Sequence, residues 1–214
     1  MKICYEKSLC SFGAAIAAAL VLNGCAVTEP KVDRFVPPPV GSNWTNAVRN
    51  AGSFGSGDVQ LQVTLREQEW NGKQVFVASS ASGAEVWTPD GGLVAFLGAG
   101  DKPIMQFDPA LTYDWPLMTG KTWTVSYQLT NAASQRIGPT ERTCKVAAYE
   151  DVKVLAGTFK TFKIGCSTTS GLDEVLWFSP ELGIFVKASK TRSASYRAGP
   201  GTQGQELVSF TAKR

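Results

Sequence analysis

Alternation of apolar and polar residues is the feature that most limits what this chain can become. Val59, Leu61, Val63 and Leu65 interleave with Gln60, Gln62, Thr64 and Arg66. Successive side chains on a strand point to opposite faces, so this pattern describes a strand buried on one side only. Trp123, Val125, Tyr127 and Leu129 repeat it against Thr122, Thr124, Ser126 and Gln128. Asn71-Gly72 supplies a tight hairpin turn, because both residues tolerate positive φ. Ser82-Gly83 and Pro89-Asp90-Gly91-Gly92 punctuate shorter strands around Val86 and Leu93–Leu97. Further strands are expected over 142–154, 159–167, Val175–Phe178, Gly183–Ser189 and Glu206–Thr211. Residues 41–56, rich in Gly, Ser and Asn, read as an irregular lead-in, and only Trp44–Arg49 hints at a helical turn. The fold expected is mainly β with little helix: an antiparallel sandwich or an open half-barrel of about nine to eleven strands.

The first residues belong to a different economy. Lys2 and Lys7 precede a charge-free run from Leu9 to Leu22, too short for the ~18 apolar residues that span a bilayer. Leu22-Asn23-Gly24-Cys25 follows and resembles the bacterial lipobox. That resemblance implies cleavage before Cys25 and attachment of a diacylglycerol, with further acylation of the new amino group. The alternative is an ordinary secretory signal cut near Ala26. Several acyl chains on one residue anchor far more firmly than one, at about 0.8 kcal/mol per buried methylene. Ala26, where aspartate marks inner-membrane retention in similar lipoproteins, implies the outer membrane, with the domain facing the periplasm. The organisation expected is a signal peptide over 1–24, a lipidated Cys25 and Pro-rich tether over 25–50, and a single β domain over 51–214. Pro37-Pro38-Pro39 favours an extended, solvated conformation within that tether.

Charge excludes one class of partner. The chain carries +3, of which Lys2, Lys7 and Glu6 contribute +1, and no Lys/Arg run exceeds two residues. Nucleic-acid binding needs a concentrated basic face and is set aside. Of five cysteines, Cys4 and Cys10 leave with the signal and Cys25 is the lipidation site. Cys144 and Cys166 remain, and an oxidising compartment favours a disulfide between them over two buried thiols. They lie 11 positions either side of Leu155, so a hairpin turning there sets them near one another. A one-residue slip would turn one of them to the opposite face.

From Gly41 onward the chain is similar to a group of exported proteobacterial proteins with no assigned biochemical role. The similarity is carried by Gly52-Ser53-Phe54-Gly55, Trp115-Pro116-Leu117 with Gly120-Lys121-Thr122-Trp123, and Tyr149-Glu150-Asp151-Val152 with Ala156-Gly157-Thr158-Phe159-Lys160. Trp177-Phe178-Ser179-Pro180-Glu181-Leu182-Gly183 and Gly199-Pro200-Gly201-Thr202 extend it. It implies an all-β envelope domain and no catalytic residues.

Chemistry-bearing patterns are sparse. The chain has no histidine, which removes Ser-His-Asp and Cys-His nucleophiles and histidine-containing zinc sites. Cys144 and Cys166 lack C-x-x-C spacing. Gly98-Ala99-Gly100-Asp101 reads as a turn, since no helix follows it. Asp101, Asp108, Asp114, Glu150, Asp151, Asp173, Glu174 and Glu181 could supply a glycosidase pair, but most adjoin turn residues where carboxylates are ordinary. No metal and no cofactor is expected beyond the acyl chains on Cys25. Of six tryptophans, Trp87 and Trp123 lie within strand patterns and are expected in the core. Trp70 and Trp115 lie at strand ends, where they either cover the core or meet a ligand. The functional expectation is a non-enzymatic lipoprotein whose β domain binds a hydrophobic or envelope component. An assembly accessory acting through a protein partner, or a histidine-free hydrolase of envelope polymers, is the alternative.

Overall fold

The computed structural model describes residues 29–132 and 135–214. Cys25, the lipobox and the signal segment lie outside the described residues. Within them, the strands are β1 (Lys31–Val32), β2 (Asn43–Gly52), β3 (Gly57–Trp70), β4 (Lys73–Ser80), β5 (Gly83–Trp87), β6 (Leu93–Leu97) and β7 (Pro103–Leu111). They continue as β8 (Leu117–Met118), β9 (Thr122–Asn131), β10 (Arg136–Val154), β11 (Gly157–Thr168), β12 (Leu172–Ser179), β13 (Ile184–Arg192) and β14 (Gly201–Thr211). A single 3-10 turn, Ala99–Asp101, breaks the β pattern.

Twelve of these strands form one closed antiparallel barrel, in the order β10-β11-β12-β13-β14-β2-β3-β4-β5-β6-β7-β9. Closure is made where β9 meets β10, from Thr130 opposite Arg136 to Thr122 opposite Lys145. This corrects the expected sandwich or open half-barrel of nine to eleven strands. Alternation reports that one face is buried; it cannot say whether that face meets a second sheet or its own far side. Two strands also escaped the pattern. In β2 the inward positions are Trp44, Asn46 and Val48, so Asn46 within and Ala47 without blur the alternation. In β7, Pro103 and Pro109 sit at positions that read against a strand. The helical hint at Trp44–Arg49 and the irregular lead-in over 41–56 are therefore overturned by β2, which pairs with β14 and β3.

The segment assigned to the tether is also part of the body. Lys31 and Val32 pair with Met118 and Leu117, and Phe35 packs against Trp115 and Phe178. Gly183 has φ +68, and a Cβ there would overlap the Val36 carbonyl oxygen, so the Pro-rich stretch lies directly on the β12–β13 turn. An extended, solvated chain was expected because proline content fixes local conformation, whereas docking depends on the surface it meets.

The β10–β11 hairpin shows how a disulfide is aligned. Val154 opposes Gly157, so the turn is centred between Leu155 and Ala156, and continued regularly this register would put Cys144 opposite Ser167. A bulge at Ala147, between Val146 and Ala148, shifts it by one residue, and Cys144 faces Cys166 directly. The two are disulfide-bonded with Cα atoms 4.1 Å apart. They join Trp123, Val146, Phe162, Ile164 and Phe178 in one buried cluster. A second cluster gathers Val152, Val154, Ile184, Val186 and Leu207. There the hairpin tip reaches β14, with Ala156 N–H donating to Leu207 O at 2.9 Å. A third, smaller cluster of Val75, Val77, Val86 and Ala95 occupies the opposite face of β4–β6, with Trp70 packed against it.

Candidate functional site

The two ends of the barrel differ. The turns after β2, β4, β6, β9, β11 and β13 all fall at one end, which is the mouth. The other end receives the amino-terminal segment, with Phe35, Pro37 and Pro38 forming its floor. About eight strands make a barrel whose interior side chains just fill it, and diameter grows with strand number. Twelve strands leave space, and the lumen holds a cavity of ≈ 870 Å³, within the range of small-molecule sites. Outward positions such as Gln60, Gln62, Thr64, Thr122, Thr124 and Ser126 are polar and exposed. A membrane-spanning barrel carries an apolar band outside; these outward positions on β3 and β9 are polar instead.

The lumen has two unlike walls. On β3, β4, β6, β7 and β9 it is apolar: Leu61, Val63, Leu65, Phe76, Phe96, Met105, Phe107 and Leu129. On β10 and β12–β14 polar groups enter among apolar ones: Arg142, Glu174, Lys190, Arg192, Gln203 and Gln205 stand beside Leu176, Ile184 and Ala188. Arg142 donates from Nε and Nη2 to Glu174 Oε2 at 3.1 and 2.9 Å. Lys190 Nζ stands 3.7 Å from Glu174 Oε1. Burial alone would push the Glu174 carboxyl up, but the Arg142 and Lys190 charges and hydrogen bonds outweigh that and hold it below the usual carboxylate range.

Glu85 enters from the facing wall. Burial pushes its carboxyl above the ordinary value, and the Lys190 charge and a hydrogen bond from Trp87 Nε1 at 3.2 Å offset this only in part. Tyr113 and Tyr127 are each pushed up to about 12 by burial, against the opposing pull of Arg142. The Arg142 guanidinium lies 5.6 Å from the centre of the Tyr113 ring. Deeper in the lumen, Asn46 is 5 % exposed and its Oδ1 has no hydrogen-bond partner among the described residues. A buried polar atom left so costs about 1–3 kcal/mol.

Neither tryptophan singled out at strand ends lines this lumen. Trp115 donates from Nε1 to Asp90 O at 3.0 Å and stacks among Phe35 and Phe178, bordering a crevice of only ≈ 10 Å³. Trp70 packs on the outer cluster of β4–β6. Trp123 is buried in the core, while Trp87 and Trp44 face the lumen. Of the eight carboxylates named from sequence, Glu174 lines the lumen; Glu85 was missed. Its signal was phase: Glu85 alternates in step with Trp87, Arg142 with Cys144 and Val146, and Asn46 with Trp44 and Val48. A polar residue in step with apolar ones on a strand is an inward residue.

No protein-family model matches this sequence, and no curated protein does. Three solved structures are similar to the chain. One, from Bacteroides fragilis, is described as an exported protein with a YmcC-like fold; it has 15% identity and a TM-score of 0.47, covering 84% of this chain and 100% of that one. Another, described as a lipoprotein of Parabacteroides distasonis, has 12% identity and a TM-score of 0.41 over 84% and 99% of the two chains. The hypothetical lipoprotein YmcC of Escherichia coli has 10% identity and a TM-score of 0.44 over 82% and 89%.

Proposed function

We propose that this protein is an envelope lipoprotein whose barrel holds an apolar or amphipathic envelope component in its lumen, without turning it over. The observation that carries this reading is the ≈ 870 Å³ lumen with one apolar wall and the unpartnered Oδ1 of Asn46 inside it. Acyl chains on Cys25 are the anchor, the outer membrane its address and the periplasm the space it faces. Lys31, six positions after Cys25, is already bound at the floor end of the barrel, so such an anchor sets the floor toward the bilayer and the mouth away from it. A protein partner then meets the mouth, where a ligand is received or passed on.

Hydrolysis is the weaker reading. Two carboxylates, Glu85 and Glu174, share the lumen and are shifted in opposite directions, as in acid–base pairs. Glu174 is tied to Arg142 through Oε2 and stands beside Lys190 through Oε1, however, which is the arrangement of a structural ion pair.

The deciding experiment is native mass spectrometry of the chain secreted with Cys25→Ser, followed by extraction of co-purified molecules. An apolar molecule at one per chain is expected, and it should be lost from Ala78→Trp, which fills the lumen from the β4 wall. A ligand-free mass for both proteins would overturn the reading in favour of an accessory that acts through its outer surface.

A further inference from the structure

The charge inside the barrel is unbalanced. Four cations line the lumen, namely Arg142, Lys190, Arg192 and Arg197, against two carboxylates, Glu85 and Glu174. Arg142 and Lys190 share the single charge of Glu174, and burial drives Glu85 toward its neutral form. Arg192 and Arg197 have no carboxylate partner among the described residues. Arg192 is also held in place: its guanidinium lies 3.6 Å from the Phe54 ring centre and 4.8 Å from that of Tyr196. Its Nη1 donates to Ser53 O at 2.8 Å, while its Nε is buried with no acceptor. A guanidinium fixed at a cavity mouth with no carboxylate to neutralise it is arranged for an oxyanion.

All these cations belong to the upper part of the barrel. Arg192 ends β13 at the mouth and Lys190 stands one inward position below it. Below them the inward residues toward the floor include Trp44, Val63, Leu65 and Phe76. We propose that the ligand is an anionic amphiphile whose carboxylate or phosphate sits among Lys190, Arg192 and Arg197, with its apolar chain running down the lumen toward Trp44 and Phe76. This inference rests on the lumen being the binding site, as argued above. It adds the sign of the head group, the end at which it sits and the residues that select it. The direction of insertion is tail-first through the mouth, because a buried charge deep in the apolar half would have no counter-ion there.

The test uses the secreted Cys25→Ser chain, stripped of co-purified molecules, with two fluorescent probes: cis-parinaric acid and its uncharged methyl ester. The acid is expected to bind about tenfold more tightly than the ester, equivalent to one good ion pair, with the preference shrinking as salt is raised. Lys190→Gln with Arg192→Gln should erase the preference and leave ester affinity within about twofold. Arg197→Gln, at an exposed position, gives a smaller loss in the same direction without touching the core. Displacement of the probe by lysophosphatidate or by laurate separates a phosphate ligand from a carboxylate one. Equal binding of acid and ester to the unsubstituted chain would overturn this inference and leave the lumen reading standing. Binding of neither probe would overturn both.

Discussion

Glu85 and Arg142 are the two residues whose replacement reports most directly on the interior. Glu85 faces Lys190, Glu174 and the Trp87 indole, and its folded carboxyl is held above the ordinary range. The unfolded chain therefore ionises first as pH rises, so the stability tied to protonated Glu85 is full below about pH 4 and is lost as pH climbs toward the folded value. Glu85→Gln should raise the melting temperature near neutral pH, and the gain should vanish in acid; a thermal denaturation series across pH checks both. Glu174 has the opposite sign. Its carboxyl is held low, so its contribution is present above the ordinary carboxylate range and disappears as pH falls through the folded value. Arg142→Met strands a buried carboxylate and is expected to cost about 3–5 kcal/mol, with most of that recovered in the Arg142→Met, Glu174→Leu double variant. Denaturant unfolding of the three proteins measures it.

At the scale of elements, the β10–β11 hairpin is the sharpest case. The bulge at Ala147 is what converts the register of the turn into the register of the disulfide. Deleting Ala147 should leave a regular ladder with Cys144 still opposite Cys166 and no free thiol, whereas deleting Val146 and Ala147 together should set Cys144 against Gly165 and free both thiols, which alkylation and peptide mass distinguish. The double deletion removes a cross-link closing about 23 residues, which the chain-entropy account puts at about 3 kcal/mol. The turns were readable without tertiary information, because their chemistry is local. Asn71 and Gly72 have φ of 50 and 75, as the Asn-Gly pair requires in a hairpin. Strands β2 and β7 were not, since an inward asparagine and flanking prolines hide a pattern that only their neighbours impose.

For the whole molecule, closure is the property from which the others follow. Pairing β9 with β10 removes the sheet edges that an open half-barrel would have had to protect. It also encloses the charged wall of β10, β12 and β13 with the apolar wall of β3–β7, so that Glu85 feels Lys190 and Glu174 across the lumen. The amino-terminal segment plugs one end through Phe35, Pro37 and Pro38. Gly183→Ala, by pushing on the Val36 carbonyl, should loosen that floor and speed amide exchange over 31–38 while the barrel strands stay protected. Hydrogen exchange resolved by segment is the check.

The sequence by itself determined the β class, most strand positions and the hairpin turns. Each depends on a period of two or on turn chemistry spanning a few residues. Only the tertiary structure decided that the sheet closes on twelve strands, that the lumen stays open, and that Asn46, Glu85, Arg142 and Lys190 face into it. Those outcomes depend on which distant strands pair and on the width that results, and such widths are set by the sum of all strands rather than by any one of them. The polar residues inside were written in phase with apolar neighbours, but phase acquires an inside and an outside only once the barrel is shut.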